Sequence, residues 1–380
     1  MENSPFQFGK LAKKETFVNR ESEKKRIASN FQSGINTILI SPRRWGKSSL
    51  VKEAAETLVS KNRKIQFCFI DMFSIKSEEQ FYEIFSSEVI KCSSAKMEEW
   101  ARNGSELFKQ LIPRFSVGVD PQNDFSVSLD WKEVGKHKGE ILNLPQILAE
   151  KKQIRIVVCI DEFQNIKNFK DSDFLEKSMR SYWQHHHQVS YCLYGSKRHM
   201  MSEIFNEKNK PFYRFGDMMM LEKIEKEKWV GFIVNAFQTT QKNISEELAA
   251  LIAEKMKCHS YYVQQLAHLV WTETEKKATR EILQKSLDNL LNWNEIFYQR
   301  EIEILSQTQI NLLEAIINGV EQLTSAKVMK DYNLGTPRNV SKNRQILEKA
   351  DIIDISGKKI SFLDPAFELW FRKVYLKKPI

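Results

Sequence analysis

"ILISPRRWGKSSLVKEAAETL", residues 38–58, decides how the rest of this chain is read. A β-rich apolar run at 35–40 leads into Gly46-Lys47-Ser48, and an amphipathic helical pattern follows from about 47 to 61. Strand, short loop and helix in that order are the context in which a Gly-Lys-Ser sequence binds phosphate. The backbone N–H groups of residues 44–49 would face an anion at the helix N-terminus. Lys47 would place its charge on the outer phosphates, and the Ser48 hydroxyl would ligate Mg²⁺. The usual pattern opens with glycine where this chain has Ser41. That position eases the turn out of the strand, a task that serine beside proline can also perform. The expected ATP-binding loop is Pro42, Arg43, Arg44, Trp45, Gly46, Lys47, Ser48 and Ser49.

Further apolar runs of buried-strand length continue the pattern. "IQFCFIDMF" (65–73) is followed by a helical segment at 79–91, and "IRIVVCIDEFQNI" (154–166) and "VSYCLYGS" (189–196) each end in polar residues. This order predicts an α/β fold, a parallel sheet covered by helices. "PRFSVGVDPQNDFSVSLDW" (113–131) interrupts it with two alternating stretches about a turn, the pattern of an inserted β-hairpin. Asp161-Glu162 ends an apolar strand far downstream of the loop. The aspartate would hold Mg²⁺ through water, and the glutamate would orient or deprotonate the attacking water in phosphoryl transfer. Two acids ending a strand are common alone; their coincidence with the loop gives them meaning. Ser196 reads either as a sensor of the terminal phosphate or as a turn residue. Arg214 reads either as an arginine finger toward a neighbouring subunit's nucleotide or as an ordinary surface arginine.

From about 221 the strands stop and amphipathic helices take over, "KEKWVGFIVNAF" and "ISEELAALIAEKM" among them. The last eighty residues form a separate unit. Ser306 caps a first helix that ends at Gly319, and "SAKVMKDYNL" makes a second. Thr336 caps a third, with Pro337 in its first turn, that runs to 350, and two short strands flank Gly357-Lys358. Three helices and a hairpin describe a winged helix. Its third helix spaces Arg338, Lys342, Gln345 and Lys349 along one face, with Val340, Ile346 and Leu347 expected on the other. That basic face, with Lys358 and Lys359 on the wing, suits double-stranded DNA, and a protein-interaction module would look the same. The expected domains are a core at 1–220, a helical region at 221–300 and the winged helix at 301–380.

Composition narrows the class. At 380 residues the chain exceeds one ordinary core, and 42% hydrophobic with 11% aromatic residues is the mix of a folded protein. No apolar run would span a bilayer, and the opening residues lack the core of a signal peptide. Five cysteines without ligand spacing read as reduced thiols, so the expectation is a cytoplasmic protein with no membrane contact. His185-His186-His187 is a poor metal site, because adjacent histidines point different ways and no further ligand lies at suitable spacing. The net charge of +9 concentrates in residues 1–64, with 14 basic against 6 acidic. There the nucleotide itself would be the acidic partner, so the charge gives weak support for nucleic acid.

Taken together the chain resembles the archaeal-type ATPases, a group near the signal-transduction (STAND) and origin-initiator branches of the AAA+ P-loop ATPases. "FVNRESEKKRI" (17–27) is similar to that family's F-x-x-R-E-x-E opening, "SPRRWGKSSL" to its loop, "CIDEFQ" to its D-E strand end and "YGSKRHMM" to its G-S sensor strand. "PFYRFG" is similar to its P-L-Y-G-R segment, and "FLDPAFELWFR" to the D-P-x-F-x-x-W element that closes the winged helix. The resemblance implies that Phe17, Val18 and Arg20 cradle adenine. It also implies a helical lid whose G-H-P-Y turn, Cys258-His259-Ser260-Tyr261 here, brings His259 to the phosphates. ATP or ADP would then set the state of the winged helix. An alternative is a signalling switch in which the winged helix binds protein, or the chain self-associates, and ATP is held with little turnover.

Overall fold

The computed structural model describes residues 4–11, 17–18, 20–93, 115–119, 125–129, 131–357 and 359–379. The apolar runs that read as strands build one five-stranded sheet, every neighbouring pair parallel. Its strands are β1 (Thr37–Ile40), β2 (Ile65–Asp71), β5 (Arg155–Asp161), β6 (Val189–Gly195) and β7 (Asp217–Met220), in the order β2-β5-β6-β1-β7. A parallel sheet needs crossovers, and after α1 (Glu21–Ser33), which leads into β1, they are α2 (Lys47–Val59), α3 (Glu78–Cys92), α4 (Trp131–Lys152), α5 (Ser172–Trp183) and α6 (Arg198–Asn206). Helices on both faces bury β1 and β6 throughout, which is why their sequences are continuously apolar rather than alternating. Cys68, Cys159 and Cys192 lie buried in these strands as free thiols.

Several boundaries differ from the sequence reading. The run at 65–73 stops pairing at Asp71, whose Oδ1 accepts the Phe73 N–H at 2.9 Å and turns the chain outward. The run at 154–166 stops at Asp161. Glu162 takes a left-handed backbone (φ 50°) and a 3₁₀ turn, Phe163–Asn168, follows. β7 escaped the reading because four residues beginning with aspartate carry no strand pattern. It is fixed from outside, by Arg26 to Asp217 at 2.5 Å and Asn30 to Asp217 at 2.8 Å, both from α1. The inserted hairpin is present as β3 (Phe115–Val119) and β4 (Phe125–Leu129), paired antiparallel from Phe115 opposite Leu129 to Val119 opposite Phe125. Its expected turn at 120–124 lies outside the described residues.

Arg20–Glu222 form one compact unit. The other contains Lys223–Ile380 together with the residues up to Asn19. In it α7 (Lys226–Thr239), α8 (Glu246–Lys255), α9 (Ser260–Glu273) and α10 (Arg280–Glu303) share one hydrophobic core with the winged helix. The winged helix comprises α11 (Gln307–Ile317), α12 (Ala326–Asp331), α13 (Pro337–Lys349), β8 (Ile353–Ser356), β9 (Lys359–Phe362) and α14 (Pro365–Trp370). The start of the chain docks on the same core. Phe6 sits 5.9 Å from both Phe232 and Phe237, and the Gln7 N–H donates to Gln264 Oε1 at 2.9 Å. Among the described residues no helix is long and apolar enough to cross a membrane.

Two side-chain bonds tie the α8–α9 turn region to the end of the winged helix. Lys257 Nζ meets the Glu368 carboxylate at 2.5 Å, and the Tyr262 hydroxyl donates to Asp364 Oδ2. Asp364 also caps α14, its Oδ1 accepting from Ala366 N at 2.8 Å and Phe367 N at 2.9 Å. Asp364→Ala therefore removes a cap and a cross-link together. Urea denaturation followed by tryptophan fluorescence should show a loss of about 2 kcal/mol, and less for Asp364→Asn, which keeps a capping oxygen.

Candidate functional site

The loop after β1 forms at the N-terminus of α2. Gly46 is its N-cap with φ 91°, and a Cβ there would meet nothing within 4 Å. Glycine is therefore required by the left-handed backbone and not by crowding from the protein. Arg44 shares that conformation (φ 63°), whereas Ser41 does not. Ser41 is fully buried, its N–H donating to Gly195 O at 3.2 Å and its hydroxyl to Pro42 O at 3.1 Å. Nothing in the backbone at Ser41 asks for glycine, which explains how serine stands there. Pro42, Trp45 and Ser49 are buried, while Arg43 and Arg44 are exposed. Arg20, 3% exposed, supports the loop from α1's N-cap position. Its guanidinium donates to Trp45 O at 3.4 Å, Glu222 O at 2.7 Å and Glu23 at 2.9 Å.

Sheet order brings the distant acids to this loop. β6 lies between β1 and β5, so the residue just past β6, Ser196, falls between the loop and the strand that carries the acids. Lys47, 8% exposed, reaches Glu162 Oε1 at 2.6 Å and Asp161 Oδ1 at 3.4 Å. The Ser48 hydroxyl donates to Asp161 Oδ2 at 2.5 Å. Glu162 Oε2 accepts from the Ser196 hydroxyl at 2.7 Å, the Ser196 N–H at 3.2 Å and Gln164 Nε2 at 2.5 Å. The two carboxyls are held differently. Burial raises Asp161 above the ordinary carboxylate value, and Lys47 and Ser48 only partly oppose it. Burial also acts to raise Glu162, but the charge and hydrogen bond of Lys47 with the Gln164 and Ser196 donors outweigh it and hold it below. A lysine, a hydroxyl and two carboxyls of unequal acidity thus converge at the C-terminal edge of the sheet, where α/β folds bind ligands.

Other expected residues take no part in these bonds. Arg214 is exposed with φ 53°, its guanidinium over the Tyr213 ring at 5.2 Å, and among the described residues it has no hydrogen bond or ion pair to Lys47, Asp161, Glu162 or Ser196. Phe17, Val18 and His259 belong to the unit that holds the winged helix. His259, 4% exposed, is the N-cap residue of α9. Just before it, Lys257 (φ 48°) and Cys258 (φ 55°) are left-handed, a backbone that glycine enters without strain and cysteine does not. Ser260 is the first helical residue, a position where proline would lose no hydrogen bond. In the histidine run, His186 bonds Tyr191 at 2.8 Å and Asn143 at 2.9 Å, and burial lowers its pKa to about 4.

On α13, Arg338, Lys342, Gln345 and Lys349 are exposed, and so is Ile346, at 39%. The expectation that Ile346 points inward is corrected: it lies one turn beyond Lys342 on the same face, and the buried stripe is Val340, Asn343 and Leu347. Lys358 lies outside the described residues. The reading of the sequence overlooked Gln164 and the loop-supporting contacts of Arg20. A glutamine two residues after an acid looks solvated, and only the 3₁₀ turn buries it.

The strained turn gives a direct test. Cys258→Gly should stabilise the chain by about 1 kcal/mol, since a non-glycine residue in the left-handed region costs roughly that much. A rise in the urea midpoint checks it, and an unchanged or lower midpoint would count against strain at Cys258.

A family model described as an ATPase domain predominantly from Archaea matches residues 17–253, and one described as a probable winged helix domain matches residues 296–373. Among solved structures, a Walker-type ATPase of Pyrococcus abyssi is similar over 95% of this chain and 97% of its own, at 14% identity and a TM-score of 0.65. The ORC2 protein of Aeropyrum pernix, solved as ADPNP–ADP complexes, is similar over 98% and 99%, at 12% identity and a TM-score of 0.57. At such identities the likeness shows the fold, a P-loop ATPase architecture. None of the curated proteins searched matches the chain. With the first model spanning more than half of its length, the chain belongs to the family of ATPase domains found predominantly in Archaea.

Proposed function

We propose that this chain binds ATP with Mg²⁺ on the loop of residues 42–49 and hydrolyses it. One observation carries the reading: Lys47 and Ser48 converge with Asp161 and Glu162, from a strand that β1 does not touch. The N–H groups at the start of α2 would take the phosphates, and Lys47 would exchange its carboxylates for them. A hydroxyl and a carboxylate 2.5 Å apart, Ser48 and Asp161, are the hard oxygen donors that suit Mg²⁺. When bound, the ion neutralises charge on the phosphate oxygens. Glu162 would orient the attacking water, held in place by Gln164 and Ser196. The ADPNP and ADP complexes of the Aeropyrum pernix protein support nucleotide as the ligand.

Titration with a fluorescent ATP analogue and a phosphate-release assay separate binding from turnover. Lys47→Ala should weaken binding at least about tenfold, the worth of one charge-assisted bond. Glu162→Gln should leave binding intact and slow phosphate release by roughly 100-fold. Equal release by Glu162→Gln and wild type would remove Glu162 from the chemistry.

A second reading concerns the winged helix, and the exposed row of Arg338, Lys342, Gln345 and Lys349 favours it. That face would enter the major groove of double-stranded DNA under control of the nucleotide. Fluorescence anisotropy at two salt concentrations should then show binding that weakens steeply with salt and is lost in Lys342→Ala/Lys349→Ala. No binding at low salt would assign the face to a protein partner instead.

A further inference from the structure

The two oxygens of Glu162 have different surroundings. Oε2 accepts three donors from the protein: the Ser196 N–H at 3.2 Å, the Ser196 hydroxyl at 2.7 Å and Gln164 Nε2 at 2.5 Å. A carboxylate oxygen offers about two lone-pair sites, so Oε2 has no capacity left for water. Oε1 has one partner among these groups, Lys47 at 2.6 Å, and that partner sits on a flexible stem and carries the charge that phosphate would draw away. We propose that Gln164 and Ser196 are positioning residues that clamp Glu162 by Oε2, leaving Oε1 as the single oxygen that meets the attacking water. The proposal rests on the reading of Glu162 as the water-orienting group.

Gln164 is built for this task. It lies in the 3₁₀ turn directly after Glu162 and is 1% exposed. Its own Oε1 has no hydrogen-bond partner, a cost of about 1–3 kcal/mol for a buried carbonyl. Flipping the amide would not relieve it, because Oε1 would then face the Glu162 carboxylate. The orientation is therefore set by what Nε2 does for Glu162. Room for it comes from Gly195, where a Cβ would stand 2.0 Å from Gln164 Oε1 and 2.7 Å from Met201 Sδ. That glycine has no left-handed φ, so close approach alone explains it. The Gly195-Ser196 pair then acts as one device: the glycine admits the glutamine and the serine supplies the other two donors.

The test is ATP hydrolysis, with nucleotide affinity measured alongside, in wild type, Gln164→Ala, Gly195→Ala, their double variant and Glu162→Gln. Gln164→Ala should lower kcat about tenfold, one charge-assisted hydrogen bond in the transition state, with affinity changed less than about twofold. Gly195→Ala should reproduce that split by displacing the amide without touching Glu162, and should add little once Gln164 is alanine. An unchanged kcat in folded Gln164→Ala overturns the clamp, as does a lower kcat with affinity weakened in proportion. If Gln164→Ala fails to fold, Gly195→Ala decides by the same two readouts. A Glu162→Gln chain as fast as wild type, or a wild type that releases no phosphate, overturns the underlying reading and is distinguishable from both.

Discussion

Lys47 meets two carboxylates carried by a strand that its own strand never touches, and this contact organises the molecule's sheet edge. A buried ammonium without partners would cost several kcal/mol, so the loop and the Asp161-Glu162 strand end depend on one another. The arrangement requires β6 to sit between β1 and β5, and that places Ser196 where it can hold Glu162. With both acids ionised, one lysine leaves the cluster a negative charge in excess, a setting that favours a cation. In the proposed site that cation is Mg²⁺, held by Ser48 and Asp161.

Much of this was legible in the sequence because the relevant constraints are local. A strand buried on both faces must be continuously apolar, a phosphate loop must end in Gly-Lys-Ser at a helix start, and helix caps have characteristic residues, as at Ser306 and Thr336. What escaped was set by tertiary contact. β7 has no pattern of its own and exists because Arg26 and Asn30 bind Asp217. The kinked helix Trp131–Lys152 contains Pro145, which argues against a helix until the burial of Ile141, Leu142, Leu144 and Leu148 is seen. Gln164 and Arg20 carry polar side chains whose roles depend on which backbone folds over them. Ile346 was misplaced because it adjoins Leu347 in sequence, whereas one residue turns the helix by about 100° and sets it beside Lys342.

In the second unit Lys257, in the turn with Cys258 and His259, bonds Glu368 of the winged helix, and Tyr262 in α9 bonds its Asp364. Within that unit the two bonds fix the turn and the start of α9 against α14. The left-handed cysteine holds that turn at a cost of about 1 kcal/mol.

The central claim is that the loop and the Asp161-Glu162 pair form one ATP site. A structure of the Glu162→Gln chain with ATP and Mg²⁺ tests it most directly. The account predicts phosphates wrapped by the N–H groups of residues 44–49, Lys47 moved from residue 162 onto them, and the cation between Ser48 and Asp161. Nucleotide bound elsewhere, or a loop that keeps Lys47 on the acids while ATP is present in the crystal, would contradict it.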